Sequence, residues 1–580
     1  IDAFNNNMPY DEFTIKQLAG DLLPNAKRED ILATGFNRNH TYNGEGGRIA
    51  EETRVENVFD RVETVGTTWM GLTLNCSRCH DHKFDAITQK EYYQLYDYFN
   101  QTSEVGNVYG SGRIKPVVDM SPIEETKKAE ELKAFLAKIG DSVEKFEETK
   151  FPRDPGLPVS KSKVAEGIIE SNIKELDKKA IDRNSYPLSI LSKYFEKYDS
   201  KYAAMLKDLR EAKVNHTEQL KKNWLVMVMD ELDSARQSYI LARGTYDKHL
   251  EPVYRDVPAS LPPLPEGVEN NRLALARWIV SPEHPLTARV TINRYWQAFF
   301  GNGLVKTVEN FGVQGALPTH PELLDWLSAD FEENGWNLKR LFKKIVMSAT
   351  YRQSSKVTDK LLALDSENKF LSRSTRMRLP SWMLRDQALF ISGLLVDSLG
   401  GEPVKPYQPS GIWDEATFGK IKYIQDHGDA LYRRTIYSFW RRIVGPTVLF
   451  DNSPRQVCTV KAMNTNTPLH ALTTLNDITY MEASRVLAER ILLEKSSDRE
   501  RITYAFELAT SRKPDLEEIS ILETRIEQLR LEYSQLTDEA MKIIKIGEYR
   551  LNEKLDPIEH ASYTVLSSLL LNLDETITRQ

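Results

Sequence analysis

Cysteine is scarce in this chain, with three residues among 580, and two of the three fall within one stretch. The third, Cys458, is left without a partner and reads as a buried, inert thiol. No apolar run approaches the ~20 residues of a membrane-spanning helix, which excludes a membrane span in this chain. Positive charge is not in excess: the net charge is −7, so there is no basic footprint for nucleic acid. Neither an initiator methionine nor a basic segment before an apolar stretch stands at the start, so no signal peptide is visible. The chain opens at Ile1 in what reads as the middle of a helical domain. We therefore expect a missing N-terminal part that includes an export signal. The G-x-S-x-G, H-E-x-x-H, Walker-A and G-x-G-x-x-G contexts are also wanting, and with them the common hydrolase and nucleotide-binding templates. Internal repeats and low-complexity segments are not detected.

What is present is Cys76-Ser77-Arg78-Cys79-His80, a C-x-x-C-H stretch. Two thiols at this spacing can each form a thioether to one vinyl group of a porphyrin. The histidine that follows can supply an axial nitrogen to the iron. Two other chemistries use the same spacing. Zinc could take Cys76, Cys79, His80 and His82, but zinc sites usually join two distant half-sites, and no second C-x-x-C or H-x₃-H pair exists. A redox dithiol would sit beside a βαβ pattern, and none is evident.

Apolar residues make up 41% and charged residues 28% of the chain, ordinary values for a globular protein of several domains. Periodicity predicts a mainly α, multi-domain protein with a long helical-hairpin arm and a minor β element. Residues 1–120 form the domain that carries the motif. Within it, a Gly/Asn-rich loop over 35–47 contains Gly44, Gly46 and Gly47. A helix from Ala50 follows, with Val55, Val58, Phe59, Val62 and Val65 on one face. Residues 121–222 are charge-dense with apolar helical stripes and read as the arm, broken by the Pro/Gly cluster at 151–158. Residues 223–265 hold two short apolar runs fit for strands, 223–229 and 238–243, and then a stiff Pro-rich linker. Residues 266–580 form a C-terminal helical domain.

The stretch GLTLNCSRCHDHKFDAITQKEYYQLYDYF resembles the planctomycete-type cytochrome family, whose chains join an N-terminal cytochrome-like domain to two conserved domains of unknown function. Residues 273–355 and 432–477, and the tail SSLLLNLDETITRQ, carry the same resemblance, which spans nearly the whole chain. It implies an exported, periplasmic or extracellular protein. It further implies other cytochromes as partners, together with an exported protein of alkaline-phosphatase-like fold encoded nearby. The family's further N-terminal C-x-x-C-H domain is wanting here, in line with the expected truncation.

On this reading the chain holds one haem c at Cys76 and Cys79, with His80 as the proximal iron ligand. His40, in the Gly/Asn loop, is the expected distal ligand or distal-pocket base. Arg54, Arg61 and Arg78 are candidates to pair with the haem propionates. Glu45, Glu51 and Glu52 surround that loop; clustered carboxylates could bind Ca²⁺ or hold an acid/base, but Glu51 and Glu52 suit the macrodipole in the first turn of a helix. His320 reads as a capping or packing residue. One difficulty attaches to His40. A straight helix from Ala50 to Leu74 would span roughly 35–40 Å at ~1.5 Å per residue. The loop must fold back, or the helix must break, and Gly66 and Gly71 are the places for a break. The expected function is electron transfer within a larger cytochrome assembly. A haem enzyme acting on peroxide or in polymer breakdown, and a docking subunit stapled by haem or zinc, are the alternatives.

Overall fold

The computed structural model describes residues 1–41, 47–106, 115–151, 167–441, 443–453, 455–461 and 465–579. Helices dominate, and the only sheets among the described residues are two-stranded. The mainly α, multi-domain reading therefore holds. Glu45, Gly44, Gly46 and most of the 151–158 break lie outside the described residues.

The first region is built on α1 (Tyr10–Ala19), α2 (Ala50–Val65) and α3 (Gln89–Asn100). The predicted apolar stripe of α2 is buried: Val55, Val58, Phe59, Val62 and Val65 are each at most 3% exposed. That face meets the aromatic face of α3, where Tyr92, Tyr93 and Tyr96 surround the Phe59 ring at centroid distances of 5.3–6.1 Å. Thr88 starts α3 with a capping box, its hydroxyl accepting the Glu91 N–H while the Glu91 carboxylate takes the Thr88 N–H. α2 does not run straight to Leu74. It gives way at Gly66 to a single π-type turn, Gly66–Met70, and the chain then reverses at Gly71 with φ of +60°. A Cβ on Gly71 would lie 2.8 Å from the Phe311 ring, so the break also makes room for a residue of the C-terminal half.

The arm contains α4 (Ile123–Lys150), α5 (Ser185–Phe195) and α6 (Ser200–Lys221). It encloses its own core of Leu136, Val143, Leu188, Leu191, Leu206 and Leu209 among others. Its two ends are tied together by β1 (Val117–Asp119), which pairs antiparallel with β2 (Leu225–Met227). β3 (Ser238–Leu241) pairs with β4 (His249–Val253). The two predicted strands thus both form, shorter than expected, and each finds a partner elsewhere rather than in the other.

Beyond them come α7 (Arg272–Ile279), α8 (Thr287–Phe300), α9 (Pro321–Glu333) and α10 (Leu338–Met347), then α11 (Ser381–Ser392) and α12 (Pro468–Asn476). The chain closes with α13 (Ile478–Glu494), α14 (Asp498–Thr510), α15 (Leu516–Gln535) and α16 (Pro557–Leu571). Core packing cuts the chain differently from its composition. One hydrophobic cluster combines residues of α1–α3 with Met229, Ile240, Leu241 and Val253, and with α7–α10. A second runs from Leu384 to Leu571. The boundary expected at 265/266 therefore crosses a shared core. The Pro-rich stretch is not a free linker either: Leu261 and Leu264 pack on the first cluster, and the Trp278 indole N–H donates to the Pro262 carbonyl at 2.7 Å.

Candidate functional site

The C-x-x-C-H stretch forms a tight turn, Leu74–Arg78, with the Cys79 N–H reaching the Cys76 carbonyl at 3.3 Å. The residues around the cysteines fix the turn to the body. Leu74 and Ser77 are buried. The Arg78 guanidinium lies 4.0 Å over the Phe59 ring and pairs with Glu56 of α2. The Tyr93 hydroxyl donates to the Arg78 carbonyl at 2.9 Å. With these side chains turned inward, Cys76, Cys79 and His80 are left exposed. The His80 Nδ1 is 2.7 Å from the Asp81 carbonyl, which suits an Nδ1–H tautomer with Nε2 unprotonated and available as a ligand. His82 is used differently. Its Nδ1 accepts the Asp85 N–H at 2.8 Å, and Asp85 in turn accepts the Val313 N–H at 2.6 Å. This occupies His82 within the loop, so the four-residue zinc set is not assembled. Among the described residues no group of three or more His, Cys, Asp and Glu side chains is arranged to hold a metal ion.

His40, the expected distal ligand, is engaged by a buried carboxylate. His40, with a side chain only 4% exposed, stands 3.3 Å from Glu104. Glu104 is fully buried and also meets Arg61, Arg38 at 3.7 Å and the Asn57 amide at 2.7 Å. Burial opposes the charge of Glu104, but Arg61, His40 and Arg38 outweigh it and hold the carboxylate well below its ordinary pKa. Burial also lowers Arg38, to about 10, against the pull of Glu104. Arg61 donates its Nε–H to the Asn37 carbonyl at 2.7 Å, while its Nη1 has no hydrogen-bond partner among the described residues. Arg54 is held by Glu51 and by the Asn100 side chain.

On α2, Arg54, Asn57 and Arg61 share the face toward Asn100 and Glu104, whereas Glu56 and Phe59 share the face toward Arg78. The structure thus brings His40 and Arg61 to one carboxylate, leaves Arg54 about two turns away on α2, and ties only Arg78 to the motif turn. All three arginines have protein carboxylates as partners: Arg54 has Glu51, Arg61 has Glu104 and Arg78 has Glu56. His320 makes no side-chain cap; its ring contacts the neighbouring Thr319 hydroxyl at 3.0 Å. Glu51 serves Arg54 in the first turn of α2.

A cavity of about 400 Å³ opens beside this network. Asn39, Asp60, Arg61 and Thr64 line one side, and Ser453, Arg455, Gln456 and Cys458 the other. The Thr41 hydroxyl, donating to the Gln456 carbonyl at 3.0 Å, ties the two sides. Cys458 is half-buried at the cavity wall rather than fully buried, with its sulfur 3.6 Å from the Thr68 hydroxyl. Glu104, Asp60 and Cys458 were not singled out for a site by sequence reasoning. The signal available was the Asp60-Arg61 pair on the helix that leads into the motif.

Comparison with known proteins assigns both sides of this junction. Residues 1–104 match PSCyt2, described as a protein of unknown function (DUF1549). Residues 271–526 match PSD1, described as a protein of unknown function (DUF1553). No curated protein and no solved structure matches the chain. The chain thus carries matches to two domains of unknown function that are typical of the family its motifs resemble, and the C-x-x-C-H turn lies within the first match.

Proposed function

We propose that this chain is an exported c-type haem protein that transfers electrons within a larger cytochrome assembly. One observation carries the reading. Two exposed thiols and an exposed imidazole sit on one turn, with the imidazole's Nδ1 engaged by the Asp81 carbonyl and its Nε2 available. Cys76 and Cys79 are the attachment residues and His80 the iron ligand; when bound, the haem supplies one-electron chemistry. Arg78, Tyr93 and Glu56 act behind the turn by holding its backbone in place. The exposure of all three attachment side chains favours exchange with another protein over enclosure of a substrate. Other cytochromes and the alkaline-phosphatase-like protein implied by the resemblance are partners on this reading.

His40 is left out of the proposed iron site, because its side chain is buried against Glu104, which Arg38 and Arg61 also meet. The test is the visible spectrum of the chain after export from a host that matures c-type cytochromes. Wild type should show a two-thioether haemochrome. His80→Ala should change the spin state and cyanide binding, and His40→Ala should leave both unchanged. A wild-type chain without a haem band, or a His80→Ala spectrum identical to wild type, would overturn the proposal.

A further inference from the structure

The cavity between the PSCyt2 and PSD1 segments takes no part in the haem reading, yet its walls have a defined chemistry. Among the described residues its charged lining groups are Arg61, Arg455 and Asp60; Asn39, Thr64, Ser453 and Gln456 are neutral and can donate hydrogen bonds. The Arg61 side chain is 1% exposed, and its Nη1 is a buried donor without an acceptor among the described residues. A guanidinium taken out of water with a donor unused bears the desolvation cost of that group, which an incoming acceptor relieves. Among the described residues, Arg38 and Arg61 are met by the carboxylates of Glu104 and Asp60, and Arg455 adds a further cation at the cavity wall. Arg455 stacks 4.3 Å over the Trp440 ring, which orients its planar group and leaves its edge for a ligand. Asp60 is the opposing charge, and burial raises its pKa, so it resists an anion less as pH falls.

We propose that this cavity binds a small molecule through an oxyanion group, a carboxylate, sulfate or phosphate, gripped between Arg61 of the PSCyt2 segment and Arg455 of the PSD1 segment. The site is independent of the C-x-x-C-H turn. It gives the two domains a shared ligand, since neither segment alone supplies both arginines.

Cys458 lines the same cavity and reports on it. The experiment compares alkylation of the full-length protein by iodoacetate, an anion, and iodoacetamide, its neutral analogue. It is read only on the peptide that contains Cys458, so the state of Cys76 and Cys79 does not enter. A cleft that concentrates anions should raise the iodoacetate-to-iodoacetamide rate ratio at least about tenfold over the same ratio in the urea-unfolded chain. Acetate, sulfate or phosphate should slow the iodoacetate reaction, and the anion that protects best identifies the headgroup. Arg455→Gln, folded by circular dichroism, should bring the ratio back toward that of the unfolded chain. Three results would overturn the proposal: a ratio equal to the unfolded one, a preference indifferent to all three anions, or a Cys458 inert to both reagents.

Discussion

Glu104 gathers more of the N-terminal region than any residue of the motif. Arg38, His40, Asn57 and Arg61 all converge on its carboxylate, which is fully buried. Removing one partner of such a cluster leaves uncompensated buried charge, and here two arginines would face each other. Glu104→Gln should therefore cost about 3–5 kcal/mol at pH 7, measured by urea unfolding. The pH dependence follows from its depressed pKa. A carboxylate held below its unfolded value contributes stability that is present above that value and lost as pH falls through the folded one. Wild type should thus weaken below about pH 4, and Glu104→Gln should lack that component of the acid limb. A variant within about 0.5 kcal/mol of wild type at pH 7 would show the cluster to be energetically idle. The spacing of Cys76, Cys79 and His80 was readable because the five residues are contiguous. The Glu104 cluster was not, because Glu104 lies 64 positions beyond His40, 104 − 40, and periodicity does not reveal which charged residues are buried. Arg54 and Arg61, expected to pair with haem propionates, have carboxylate partners in Glu51 and Glu104 that their spacing does not reveal.

At the scale of elements, the helices followed from apolar spacing and from their caps. Asn271 before α7, Ser497 before α14 and Asp556 before α16 each accept N–H groups of the first turn. The short strands were harder to place, since their pairing is non-local: Val117 meets Met227 across the whole arm. The break at the end of α2 was legible from Gly66 and Gly71, and it sets the path into the motif. Gly71 takes φ of +60°, and a Cβ added there would lie 2.8 Å from the Phe311 ring and 3.0 Å from the Val290 side chain. Gly71→Ala should cost about 2–4 kcal/mol, combining left-handed strain with overpacking. Gly267→Ala makes the comparison: φ is +76° with open space around it, so only about 1 kcal/mol is expected. Equal losses at the two positions would mean that the Phe311 contact does not hold the turn.

The whole molecule is organised by three principal cores, and they do not respect the composition shifts along the chain. The PSCyt2 segment shares its core with α7–α10, so it is packed as one body with the start of the PSD1 segment. The Pro-rich stretch between them suggested separation because proline marks loops, but it lies on that same core. The arm is the reverse case, with a core of its own and ends joined by the Asp119–Leu225 pair. Excising residues 121–223 and closing the gap with an Asn-Gly turn should leave a folded remainder with a thermal midpoint within about 5 °C of the parent. Aggregation of the shortened chain, or a much larger drop, would show that the arm supports the body. The central claim rests on the exposed turn at the edge of the first core. Its most direct measurement is the mass of the tryptic peptide containing Cys79, taken from denatured, exported protein. One haem joined through two thioethers predicts a single species that links Cys76 and Cys79 and is heavier by one haem. Separate peptides with Cys76 and Cys79 free, or peptides joined only by a disulfide between them, would contradict the account.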